Sequence, residues 1–581
     1  MLGLEPMHLL AGAPIAFVLA FASGSPAHAG EGAAGPAQTM VGKEQIVVEG
    51  RREQRERRSG WKRAESDHVL MFSSGGEEEL KRAATDIERL HRLLVRLYGQ
   101  DVQAGETAKL RVILVDSMPA YRDMALRNLR SEEGPYVPPF AQQRYYDPRD
   151  DGAVLVVPRA DQVIRLDTAK ARNAFCDEMG PDLLLAEKTC AEVSNRPEPV
   201  ARPWESILFS AYAQHFILNN LPAGYPRWYL DGIGALFSTA KVRRDGSLDY
   251  ARISLVNRQI FRSYGRLDAG DVLTGRYLET PSGKMEWTPF HAALLVHFFV
   301  YSDLKPERQA QFRRYMTAIH QGTPIAEAAK LFGDMRKLER EVSAYTGRDG
   351  LTYARAQPPE VPVDDPSVTL LSPASAAMLE ASAEMDSRVA SGIAVDDWIA
   401  EVRGEARKYP QDAEAQLVLA EAECRSGRYR ECLDAAGRAL ELSPDDVRAL
   451  SWKGLAQAGE AAAAKDGAAR SGELEAARAL IARAIGLDGD ALLPRLAYFR
   501  SFAMTGEPVP DDAMAGMAKV VRMVPAAPGP RLSLGAELIR RGEPGLARKL
   551  LYPVLYGPYE TPERARAESL FAADVTPRVA G

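Results

Sequence analysis

Cysteine and histidine are scarce, with 4 and 8 residues in a chain of 581. No Cys-x-x-Cys pair occurs, which removes the usual cysteine zinc sites. The Gly-x-Ser-x-Gly elbow, the Walker phosphate loop and the dinucleotide fingerprint are also missing, and with them the common sequence signatures of hydrolases, nucleotidases and dehydrogenases. There is no excess of charge of one sign. The 73 Lys and Arg against 79 Asp and Glu leave a net charge of −6, without the basic balance that a nucleic-acid partner demands. Beyond residue 29 no apolar run is long enough to span a bilayer. What remains is ordinary globular material, 46% hydrophobic and 26% charged, in a chain long enough for about four domain-sized units and more than one core.

The N-terminus reads LLAGAPIAFVLAFA, and Ala27-His28-Ala29 precedes Gly30. That layout predicts an export signal over residues 1–29. It departs from the pattern in one respect: no Lys or Arg precedes the apolar run, whether the start is Met1 or Met7. An uncleaved N-terminal anchor is the alternative. Residues 30–60 are Gly/Ala-rich and then charged, ending RREQRERRSG, which reads as a disordered tether with a solvated basic run. Export would bring the chain into an oxidising compartment. Cys176 with Cys190 and Cys424 with Cys432 are then candidate disulfides, but four cysteines allow three connectivities, and small buried thiols are an equal reading of the second pair.

Order is expected from Trp61. HVLMF, LRVILVD and AVLVVP are short, β-branched and bounded by breakers, and predict buried strands. Between the first two, Leu80, Ala83, Ala84, Ile87, Leu90, Leu94 and Leu97 follow helical spacing, with acidic residues in the first turn and Gly99 as the stop. From Trp204 to about Tyr345 the pattern is mainly helical. A Pro-rich stretch, residues 351–372, reads as a linker with a short strand at SVTLL.

After Pro373 the composition turns to Ala, Leu, Glu and Arg. Helical segments end at Pro410 and Pro444, 34 residues apart, with acidic residues after each. That spacing resembles the tetratricopeptide repeat. Leu419 and Ala420 fall at the contact positions of its first helix, and Cys432, Ala436 and Ala439 at the small-residue positions of its second. The following units fit loosely, one of them only with an insertion, and a generic helical bundle is the alternative. The resemblance implies a stacked solenoid over residues 373–581, with a concave surface for a protein or peptide partner.

The segment LFSAYAQHF, residues 208–216, with YPRWYLDG at 225–232 and FHAALLVHFF at 290–299, resembles the gluzincin-type zinc metallopeptidases. In that family one helix supplies two His ligands and a general-base Glu, and a later Glu completes the site. Leu208, Phe209, Tyr212, Ala213, His215 and Phe216 hold the frame. The functional positions are rewritten: Ser210 and Gln214 stand at the two His, Ala211 at the Glu, and Asp231 at the third ligand. The carry-over therefore implies no catalytic residue, no metal and no cofactor. His215 lies about 100° around the helix from the ligand face and reads as structural. His215, Asp231 and His291 are the one alternative set for a relocated metal, and His291 and His297 read as packing residues.

The expected fold is α+β: a mixed strand and helix part and a mainly helical peptidase-like part over residues 61–350, followed by an all-α repeat solenoid. The expected function is that of an exported, periplasmic or secreted, non-catalytic binding or scaffold protein, with a protein or peptide partner on the repeats and no nucleic acid. A hydrolase with a relocated or unconventional site is the rival.

Overall fold

The structure is a computed structural model. It describes residues 60–572 except 100–106, 125, 127–143, 165–199, 254–267, 279–283, 303–305, 347, 349–350, 352, 359–361, 393 and 465–466. The expected signal and most of the tether lie outside the described residues, as do Cys176 and Cys190.

Eleven strands are described: β1 Lys62–Glu65, β2 Val69–Ser73, β3 Leu110–Val115, β4 Tyr145–Arg149, β5 Gly152–Pro158, β6 Gln162–Ile164, β7 Val200–Arg202, β8 Lys241–Val242, β9 Leu248–Tyr250, β10 Ala354–Ala356 and β11 Ser367–Leu370. Six of them form one sheet in the order β11-β1-β2-β3-β5-β4. The pairs β2–β3 and β3–β5 are parallel and the others antiparallel. Of the strands expected from the sequence, HVLMF, LRVILVD and AVLVVP are β2, β3 and β5, and SVTLL carries β11. Helix α1, Glu77–Tyr98, makes the crossover from β2 to β3, as a parallel pair requires.

The period-2 alternation along β3 explains why this sheet needs two cover layers. Val112 and Leu114 face a core that contains Leu80, Ile87 and Leu94 of α1 and Leu208 and Phe216 of α2, Trp204–Asn220. Ile113 and Val115 face the other way, into a second core with Leu379 and Ala383 of the helix Pro373–Ser391. The first helix of the repeat half is thus the second cover of the sheet.

Helices α3 (Arg227–Phe237), α4 (Lys284–Tyr301), α5 (Pro306–His320) and α6 (Met335–Thr346) complete the first half. Residues 351–372 carry β10 and β11. β10 joins the small sheet β10-β9-β8, which the sequence pattern did not reveal, and β11 forms the edge of the large sheet beside β1.

The repeat half runs α7 (Pro373–Ser391), α8 (Val395–Ala406), α9 (Ala413–Arg425), α10 (Tyr429–Leu442), α11 (Val447–Ala463), α12 (Gly467–Leu487), α13 (Leu492–Ala503), α14 (Asp511–Met523), α15 (Pro528–Arg540), α16 (Pro544–Leu555) and α17 (Pro562–Ala572). Helices pair in sequence, α9 with α10, α11 with α12 and α15 with α16, while α7, α9, α11 and α13 pack successively as an inner row. The acidic residues after the two prolines are caps. Asp412 accepts from Ala415 N at 3.2 Å and Asp446 from Ala449 N at 2.8 Å, each satisfying one orphan N–H. Cys432, Ala436 and Ala439 are fully buried, as close helix approach requires. Cys424 and Cys432 form a disulfide joining the end of α9 to the start of α10. Among the described residues no helix is long and apolar enough to cross a membrane.

Candidate functional site

Helix α2 carries the segment LFSAYAQHF. It starts after Pro203, and α3 starts after Pro226; each proline precedes the first helical turn, where its missing N–H is not needed. The two helices lie close because α3 has glycine at the contact. A Cβ at Gly234 would stand 2.8 Å from Gln214 Nε2 and 2.9 Å from Ser210 Oγ. Ser210 and Gln214 therefore share one face of α2, turned towards α3. A Cβ at Gly232 would stand 2.6 Å from the Ala292 carbonyl oxygen of α4.

Gln214 is committed on both ends of its amide. Its Nε2 donates to Leu230 O at 2.9 Å, and its Oε1 accepts from the Arg144 guanidinium. Arg144 also donates to Ile207 O at 3.5 Å. Asp231 pairs with Arg227 at 3.4 Å, and burial pushes its carboxyl above the usual carboxylate range against the pull of Arg227 and Arg144. Ala211 is buried and has no polar atom in its side chain to offer. A guanidinium and an amide thus tie the motif helix to its neighbour where the resemblance would put a metal. Among the described residues no group of three or more His, Cys, Asp or Glu is arranged to hold a metal ion, and His215, Asp231 and His291 are among those residues. The relocated metal set is not assembled.

His215 faces away from that contact, as its helical position requires. Its Nδ1 lies 2.9 Å from the Tyr146 hydroxyl. It borders a polar cluster under α2 that sequence reasoning missed. Glu88 accepts from Ser66 Oγ at 2.6 Å and from His68 N at 2.8 Å, and lies 2.6 Å from His68 Nδ1. The His68 ring stacks on His91 at 3.5 Å, and His91 Nδ1 lies 2.8 Å from the Tyr212 hydroxyl. Burial works to raise the Glu88 pKa, but the hydrogen bonds from His68 and Ser66 outweigh it and hold the group at about 2. Burial, reinforced by the nearby His68, pushes His91 down to about 3, and burial pushes His215 to about 3. A carboxylate this weakly basic takes no proton at neutral pH, so Glu88 is a poor general base. The cluster locks α1, the β1–β2 turn and α2 together. The available signal was Glu88 and His91, three apart within the apolar stripe of α1. His297 is a packing residue, with Nδ1 2.7 Å from the Tyr345 hydroxyl. His291 is buried on the same helix, α4.

The third polar assembly joins the two halves. The β4–β5 turn, Asp150-Asp151, enters the inner row of the repeat helices. Arg149 donates to Ser382 O and Ala383 O of α7, each at 2.7 Å. Asp151 lies 3.5 Å from Arg425 of α9, and Asp150 pairs with Arg500 of α13. Further along the array, a Cβ at Gly529 of α15 would collide with the Asp150 carboxylate. Adjacent residues of one turn thus touch four helices spread from residue 382 to 529, which requires the array to curve around the turn.

The helical half is tetratricopeptide-repeat-like. That follows from the chain's own paired helices and 34-residue cap spacing. Similar solved structures include a thermophilic TPR protein of Thermus thermophilus, at 20% identity and TM-score 0.28 over 31% of this chain and 91% of that one. Two structures of MamA match at 18% and 17% identity, both with TM-score 0.20, over 32% and 35% of this chain and 95% and 98% of theirs. No family model and no curated protein matches. The TPR-like array also reaches the motif helices: Tyr225 N donates to Tyr556 O at 3.1 Å, and Arg227 lies over the Tyr559 ring at 5.6 Å.

Proposed function

We propose that this chain is an exported, non-catalytic, peptidase-like protein of the cell envelope that works as a binding or scaffold protein through its TPR-like array. The observation that supports the non-catalytic part is the state of Gln214. Its amide is spent on Leu230 O and Arg144, so the motif helix offers neither a metal ligand nor a proton acceptor in the peptidase sense. The array supports the binding part, because stacked helix pairs present extended surface rather than a chemical centre.

Two measurements test this reading. Metal analysis of the dialysed full chain should find less than about a tenth of a zinc per chain; about one tightly held zinc would overturn the non-catalytic reading. Cell fractionation should place the mature chain in the periplasm or the medium, and a wholly cytoplasmic chain would overturn export. The peptidase-like ancestry has its own test, the Ser210→His, Ala211→Glu, Gln214→His, Asp231→Glu chain. That chain should take up about one zinc, and a folded variant that takes up none would remove the ancestry.

A further inference from the structure

The concave face of a repeat array is where an external segment docks, yet here that face already has an occupant. We propose that the Asp150-Asp151 turn is an internal ligand of the TPR-like array, and that the groove it fills is a recognition site for acidic segments which the chain's own turn holds shut. This rests on reading the array as a binding surface.

Three positive features converge on the turn. Arg500 pairs with Asp150 and Arg425 with Asp151. The Asp150 carboxylate sits against Gly529, in the first turn of the 13-residue helix α15, at the positive end of the helix dipole, although Pro528 and Pro530 carry no N–H there. Two carboxylates stand on the array side of the contact, Asp386 and Glu421. Arg425 engages both, at 2.8 and 2.9 Å, and Arg149 reaches Asp386 at 3.4 Å. Arg500 is the cation that the turn does not share with either of them among the described ion pairs.

The contact also has two layers. Arg149 is a buried anchor, with a side chain 2% exposed, held by two main-chain carbonyls of α7. The carboxylates above it are within reach of water: Asp150 is 20% and Asp151 25% exposed, against 35% for Arg500 and 18% for Arg425. These side chains are partly buried with an outer edge in water, so this layer, rather than the Arg149 anchor, is the part that a competing carboxylate can reach. The internal turn wins because it is tethered. A short tether presents its ligand at an effective concentration on the order of mM, which an external acidic segment must exceed. The geometry thereby assigns both a ligand class, a pair of adjacent carboxylates on a turn, and a gate, the chain's own copy of it.

The experiment uses the full chain and a fluorescein-labelled synthetic peptide of residues 144–156, which carries the turn. Anisotropy titrations compare wild type with D150N/D151N. The variant should bind the peptide at least about tenfold more tightly than wild type, since the internal competitor is weakened. Adding R500Q to the variant should cancel the gain, and a peptide with both Asp replaced by Asn should not bind. Equal binding by wild type and D150N/D151N, or a gain that survives R500Q, overturns the proposal. If D150N/D151N does not fold, G529A decides by the same criterion, because it displaces the Asp150 carboxylate while leaving every charge in place. The outcome separates from that of the wider reading. An array that binds the peptide on opening but serves no cellular partner sinks the scaffold function alone; an array that ignores the peptide sinks the gate alone.

Discussion

Acid should unfold the first half of this protein well above the range in which its carboxylates titrate. Four of the buried histidines there are kept neutral: His91 and His215 are depressed to about 3, and His291 and His320 to about 4. The main cause in each case is burial. In the unfolded chain a histidine titrates near 6.5. The folded pKa therefore lies below the unfolded one, and the unfolded state takes up the protons first. Stability is complete above about pH 6.5 and falls as the pH drops from there towards the folded values. One pH unit below 6.5, each histidine costs about 1.4 kcal/mol, or about 6 kcal/mol for the four. That is a large part of the roughly 5–15 kcal/mol that holds a domain folded. Glu88, held at about 2, acts only below its unfolded value near 4.5, so it does not contribute in this window. Urea unfolding followed by tryptophan fluorescence at pH 7.0 and 5.5 measures the difference. The slope of stability against pH should approach four protons between about pH 6 and 5, and His291→Phe should lower it by about one. A slope of less than one proton, with the same transition monitored throughout, would refute the reasoning, because it would mean that these rings are protonated without unfolding.

Three further outcomes follow from named contacts. Gln214→Ala leaves Leu230 O and part of the Arg144 guanidinium without their partner; it should cost about 1–3 kcal/mol, read by urea unfolding, while a surface Gln→Ala control costs almost nothing. Gly232→Ala forces a methyl against the Ala292 carbonyl, 2.6 Å away, which is main chain and cannot swing aside; a loss of more than about 1 kcal/mol is expected, and a neutral change would refute the close approach of α3 and α4. Reducing the Cys424–Cys432 bridge, which closes a loop of sequence separation 8, should cost the repeat half about 2.5 kcal/mol by the chain-entropy rule. Free-thiol labelling should find both cysteines protected before reduction and reactive after it.

Local signals carried much of the architecture. β2, β3 and β5 were legible because short β-branched runs between breakers are a local property. Helix α1 was legible from its apolar stripe, and the repeat from a cap and a proline recurring after 34 residues. The side-chain types at Ser210, Ala211 and Gln214, none of them His or Glu, were also legible, since residue identity is read directly from the chain. β8, β9 and β10 escaped because strands of two or three residues have too few positions for a period, and exist only through their pairing.

The sequence by itself determined the longer helices, the β-branched strands and the side-chain types at Ser210, Ala211 and Gln214, because propensity, capping and residue identity act within a few positions. Only the tertiary structure decided that Gln214 is bound by Arg144, that Glu88, His68, His91 and Tyr212 meet, and that Cys424 reaches Cys432. It also decided that Asp150 and Asp151 lie among helices more than two hundred residues later in the chain. Those contacts depend on how two large apolar faces come together. Ile113 and Val115 of one half must be covered by Leu379 and Ala383 of the other. Once that face closes, the β4–β5 turn is carried into the inner row of the array, a consequence of packing that no local window of residues contains.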